Sequence, residues 1–123
     1  MAQKRILLIG LDPTLVDFSR SSGQNAEQVM AAGGAAHERL GALGYAVQNC
    51  LVDLGATAES VVLKALAENT FDVILIGAGI RALLQHTLLF ERLINAVHQH
   101  APSAKVCFNT NPSDTVEAVQ RWI

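Results

Sequence analysis

Two short stretches carry the residue types best suited to chemistry. In residues 73–81, VILIGAGIR, a run of β-formers breaks into Gly77-Ala78-Gly79 and then presents Arg81. In residues 5–14, RILLIGLDPT, a similar run ends at Gly10 and is soon followed by Asp12. Glycines let backbone N–H groups approach a ligand closely, and a helix starting beside them adds partial positive charge, so Gly77 and Gly79 suit a carboxylate or phosphate. Arg81 would add a bidentate countercharge, while Asp12 would orient the ligand or handle its proton. The same residues have a plainer use, as the glycines of a tight turn and as an ion pair between Asp12 and Arg81 that closes the top of a sheet. Residues 77–82 also match the form G-x-G-x-x-A. They follow the third strand rather than the first, however, and the next strand ends in Phe108-Asn109, with no acidic residue for a ribose, so a dinucleotide is not the expected ligand.

A second polar constellation lies in residues 88–100, LLFERLINAVHQH. At about 100° per residue, Leu89, Phe90, Leu93, Ile94 and Val97 form the buried stripe of a helix, and Glu91, Asn95 and His98 share one flank. That row fits either a solvated face or the polar edge of a site or subunit contact. His98 and His100 project about 200° apart and cannot chelate one metal from this helix. No Cys or His spacing resembles a zinc site, so neither a metal nor a cofactor is expected. There is no Gly-x-Ser-x-Gly elbow, no Walker spacing, and no recognisable nucleophile context for Cys50 or Cys107.

The elements that must position these residues alternate. Hydrophobic period gives strands over Arg5–Gly10, Ala46–Leu51, Asp72–Gly77 and Lys105–Asn109. Helices are expected over Asn25–Leu43, Ala58–Asn69, Thr87–His100 and Asp114–Ile123. Asn25 and Gln28 are spaced as a capping box, Gly44 is a stop, and Thr57 stands where the second helix needs its cap. ILLIG and VILIG are apolar at every side-chain position, as a parallel sheet covered by helices on both faces requires. The expected fold class is therefore α/β, a small doubly wound sheet of four parallel strands in the order 2-1-3-4. In that order the first and third strands are neighbours, and a crevice opens at their carboxyl ends. It would be bounded by the long loop Leu11–Gln24, by Ala78–His86, and by Asn109 at the rim.

Composition narrows the partners. The chain has 123 residues, half of them apolar and 16% charged, with a net charge of −2. This suits a single domain spanning 1–123 with more apolar surface than one small monomer hides, and hence a homodimer. No apolar run approaches the roughly 18 residues of a membrane span. The start, MAQKRILLIG, reads as a strand rather than a signal peptide, which makes a cytoplasmic protein with reduced thiols the expectation. There is no basic patch beyond Lys4-Arg5, so nucleic acid is not an expected partner. Gly33-Gly34, inside the first helix, costs about 1 kcal/mol per glycine relative to alanine. That cost implies close packing, on the chain's own sheet or on another subunit. Trp122 is expected to pack back on the fourth strand or across a dimer contact.

This layout resembles the flavodoxin-like superfold. The stretch Phe71 to Ile123, with FDVILIGAG and APSAKVCFNT in place of a third and fourth strand, is similar in rhythm to response-regulator receiver domains. GYAVQNCLVDLGATAESVVLKALAENTFDVILIG resembles the corresponding part of cobalamin-binding domains. The functional residues of those families do not carry over. A receiver has an acidic pair after strand one where this chain has only Asp12, its phosphoacceptor position falls at or beside Gly77, and no lysine follows Lys105. A cobalamin site needs Asp-x-His-x-x-Gly where this chain reads Asp12-Pro13-Thr14-Leu15. The resemblance implies a fold and no activity. The residues themselves lead to the expectation of a small-ligand-binding protein whose anion site uses Asp12, Gly77, Gly79, Arg81 and Asn109. The alternatives are a cofactor-independent acid-base enzyme with Asp12 as base and Arg81 as carboxylate clamp, or a receiver-like interaction module without a ligand.

Overall fold

The computed structural model describes residues 3–16 and 25–123. Four parallel strands, β1 (Arg5–Leu11), β2 (Ala46–Val52), β3 (Val73–Ile76) and β4 (Lys105–Phe108), lie in the order β2-β1-β3-β4. This is an α/β fold compatible with a flavodoxin-like layout. The helices are α1 (Ala26–Ala42), α2 (Ala58–Glu68), the single turn α3 (Ala78–Arg81), α4 (Thr87–His100) and α5 (Thr115–Gln120).

Side chains alternate across a strand, so each strand feeds two layers. Leu7, Ile9 and Leu11 of β1 join Val62 of α2 and Leu93 of α4 in one apolar layer. Ile6 and Leu8 join Ala36 and Leu40 of α1 and Val119 of α5 in the other. Each fully buried Leu or Ile contributes on the order of 1.5–3 kcal/mol by leaving water, so the central strands β1 and β3, buried on both faces, anchor the molecule. Gly10 is the next residue of β1 to face the α1 layer, and it brings no side chain there.

The helix ends follow the local chemistry. Asn25 and Gln28 form the reciprocal capping box, with bonds of 2.9 and 3.0 Å. Gly44, at φ +94°, ends the helix in a conformation that L side chains rarely adopt. Thr57 stands at the N-cap of α2 but makes no side-chain capping bond, and the Asp53 carboxylate accepts from the N–H groups of Gly55 and Thr57 and from the Thr57 hydroxyl. The Thr57 hydroxyl is donated back to Asp53 rather than turned to the first helical N–H groups. Trp122 is half exposed rather than packed on the edge strand β4, while Ile123 beside it packs into the α1-side layer. Arg121 covers part of that edge instead, donating to the Phe108 carbonyl at 3.0 Å.

Cys50 and Cys107 are free and buried, in opposite apolar layers and on non-neighbouring strands. Burial raises both thiols, that of Cys107 to about 11 despite the Arg121 charge. No helix among the described residues is long and apolar enough to cross a membrane.

Candidate functional site

The carboxyl ends of β1 and β3 open into a groove of about 540 Å³ beneath the amino-terminal half of α1. Its origin is missing side chains. On α1 the residues Val29, Gly33, Ala36 and Leu40 fall on one stripe at i, i+4, i+7 and i+11. Ala36 and Leu40 are buried against the sheet. Gly33, one turn earlier, lies over the end of β1, where Gly10 presents bare backbone. Among the described residues, a Cβ built on Gly10, Gly33 or Gly34 would meet nothing within 4 Å. The expectation that Gly33-Gly34 permits close packing within the chain is therefore overturned: the glycines face open space and form a wall of the groove. Met30, Leu51, Leu75 and Leu83 supply apolar lining, and Asn49, Thr110 and Asn111 supply polar lining. Among the described residues, no charged side chain lines it.

Gly77, Gly79 and Asn109 do line this groove. The polar groups of Gly77 and Asn109, however, are committed to the fold, while the Gly79 N–H has no partner among the described residues. The Gly77 N–H donates to the Ile9 carbonyl at 2.8 Å, Ala78 N–H to Asn109 Oδ1 at 2.8 Å, and Ile80 N–H to the Gly77 carbonyl at 3.1 Å. Asn109 is buried and spends its amide on Thr115 Oγ1 at 3.0 Å. Gly77 is needed for a steric reason, since a Cβ there would stand 3.3 Å from the Ile9 carbonyl oxygen and 3.7 Å from Gly10 Cα. Gly79 is under no such pressure, its added Cβ meeting Leu11 Cδ1 at an ordinary 3.7 Å.

Asp12 and Arg81 follow neighbouring strands, yet the structure does not bring them together, and neither lines the groove. The Asp12 carboxylate turns onto its own loop, accepting from Thr14 N–H at 2.9 Å and Thr14 Oγ1 at 2.7 Å. Those bonds, the hydroxyl's first, hold its carboxyl below the usual range. The Arg81 guanidinium lies over the Phe108 ring, 5.1 Å from its centroid, and Phe90 of α4 meets the same ring edge-on at 6.0 Å. Phe108 follows Val106 on the α2 and α4 side of the sheet, so Arg81 belongs to the layer opposite the groove. Its Nε is buried without a hydrogen-bond partner among the described residues. The cation rests on an aromatic face rather than on a carboxylate.

Glu91, Asn95 and His98 are exposed on α4, also in the layer away from the groove, and the Asn95 amide is spent on the Glu91 carbonyl at 2.8 Å. Of the long loop Leu11–Gln24, residues 17–24 lie outside the described residues. A second hollow, of about 110 Å³ beside Arg5, Gln48 and Phe71, lies at the amino end of the sheet and is too small for more than a few waters.

Gly10, Gly33, Met30 and Asn49 escape a reading of the sequence that looks for charge. The signal was present: the alternation Ile6, Leu8, Gly10 on β1 and the stripe Val29, Gly33, Ala36 on an antiparallel α1 place two bare positions opposite each other. Compared with models of known protein families and with curated proteins, the chain matches none.

Proposed function

We propose that the protein binds a small, uncharged, mainly apolar molecule in the groove between α1 and the carboxyl ends of β1 and β3. The observation that carries this reading is a concavity of about 540 Å³ walled by glycine backbone and apolar side chains. Its size falls within the usual span for ligand pockets, roughly 300–1,000 Å³. Crevices at the carboxyl ends of parallel strands are also where open α/β sheets bind ligands.

The character of the ligand follows from what is left to bind it. A buried formal charge needs a countercharge or several free donors. The N–H groups of Gly77, Ala78 and Ile80 are already engaged, and Arg81 sits in the other layer over Phe108. Among the described residues, what remains is an apolar bed with the single N–H of Gly79 and the Asn49 amide at its margin, because Thr110 and Asn111 are bonded to Asp114 and Ser113. Such a lining suits a molecule that buries an apolar body and keeps one polar edge outward.

Thermal shift across a panel of neutral aromatic, neutral aliphatic and anionic small molecules tests this. Neutral compounds should stabilise the wild type, by about 2.7 kcal/mol at a hundred times Kd. They should fail to stabilise Gly33→Leu, whose side chain enters open space and so blocks the groove without disturbing the core. Arg81→Ala should bind like the wild type. A panel in which only anions stabilise, with the effect lost in Arg81→Ala, overturns the reading.

A further inference from the structure

Among the described residues, the outer edge of β2 is left unguarded. Exposed edge strands are normally blunted by lysine, proline, bulges or a covering element, because their unpaired backbone groups otherwise pair with another chain. β2 is seven residues long, AVQNCLV, with no charged residue and no proline, and no described segment pairs with its outer side. Its backbone directions follow from the two ends of its ladder with β1. Ala46 N–H donates to the Lys4 carbonyl at 2.8 Å, and the Val52 carbonyl accepts from Asp12 N–H at 2.9 Å. In a parallel pair, alternate residues bond to the neighbour, so Ala46, Gln48, Cys50 and Val52 face β1. The N–H and C=O groups of Val47, Asn49 and Leu51 therefore point out of the sheet.

We propose that a second copy of this chain pairs with β2 along this edge, antiparallel about a two-fold axis passing beside Asn49. The register is self-complementary. With Asn49 opposite its own copy, Val47 lies opposite the partner's Leu51, and every outward-directed residue meets another outward-directed one. Each such pair exchanges two backbone hydrogen bonds, the closely spaced arrangement of an antiparallel ladder. On the α1 side of the sheet the exposed Asn49 amides meet each other, and half-exposed Leu51 meets the partner's Val47. Asn49 and Leu51 also line the groove, so the second copy forms its margin on the β2 side. A shift of one residue would set outward groups against inward ones, and a shift of two would break the match of amide with amide.

Cysteine scanning on the full chain reads the register directly. Residues opposite each other in a hydrogen-bonded antiparallel pair have Cα atoms about 5.5 Å apart, within disulfide reach. Under mild oxidation Asn49→Cys should convert almost fully to a covalent dimer, while Val47→Cys and Leu51→Cys should each remain uncrosslinked alone and crosslink when mixed. Wild type should sediment at twice the 13.1 kDa chain mass, and Asn49→Lys, which sets like charges face to face, at one. Circular dichroism unchanged in Asn49→Lys confirms that the fold is kept. A wild type that is monomeric at 100 µM concentration, or a dimer in which Asn49→Cys does not crosslink, overturns the proposal. Neither readout involves a ligand, so failure here leaves the groove's proposed occupant untouched.

Discussion

Gly77 and Gly79 look equivalent in sequence and are not equivalent in the fold. Gly77 lets the turn after β3 press onto β1, where its N–H reaches the Ile9 carbonyl and a Cβ would stand 3.3 Å from the same oxygen. That neighbour is backbone in the central strand and gives way only by shifting β1. Gly77→Ala should therefore destabilise by about 1 kcal/mol or more, whereas Gly79→Ala should fall within about 0.5 kcal/mol of wild type. Urea denaturation of the two variants checks this, and equal midpoints would mean that the turn relaxes freely. The pair also shows why the chemistry of such a turn is hard to read from sequence. A glycine-rich turn followed by arginine looks the same whether its N–H groups await an anion or serve the fold. Only the partners, Ile9, Asn109 and Phe108, distinguish the two, and they are distant in sequence.

At the scale of elements, three loops at the carboxyl edge share one device, an aspartate folded back onto a nearby threonine. Asp12 holds Thr14, Asp53 holds Gly55 and Thr57, and Asp114 holds Thr110 and Asn111. For Asp12 and Asp53 the bonds lower the carboxyl from its ordinary value. For Asp114 burial acts the other way, but the bonds from Thr110 and Asn111 together outweigh it. A carboxyl depressed in the folded state adds stability above its unfolded value, about 3.9, and loses it as pH falls through the lower folded value. The urea midpoint should therefore stay level from pH 7 to about 5 and decline below about 4. Asp53→Asn keeps an acceptor oxygen but no titration, so its decline should be shallower than that of wild type; an identical profile would remove Asp53 from the account. These elements were largely legible beforehand. Strand positions, order and the capping box on α1 follow from period and spacing, because parallel pairing and right-handed crossover leave few alternatives. The short α3 and the tie of Thr57 to Asp53 were not, since each depends on side chains that fold back from outside the element.

Across the whole molecule, composition and architecture account for one another. Half the residues are apolar, and the two layers do not absorb them all: Leu84 is 94% exposed and Leu88 66%. The α1 layer is under-filled where Gly10 and Gly33 leave their open space. A protein selected for stability alone would fill it. Alanine in place of a mid-helix glycine recovers about 1 kcal/mol of helix propensity, and at Gly33 the added methyl meets none of the described residues within 4 Å. Gly33→Ala should thus raise the melting temperature by a few degrees while weakening the binding of whatever neutral compound stabilises the wild type. Calorimetry with and without that compound separates the two effects. A rise in melting temperature with undiminished binding would mean that the helix glycines serve neither packing nor ligand. Weakened binding in a more stable protein is the outcome expected of a groove kept open at the expense of the fold.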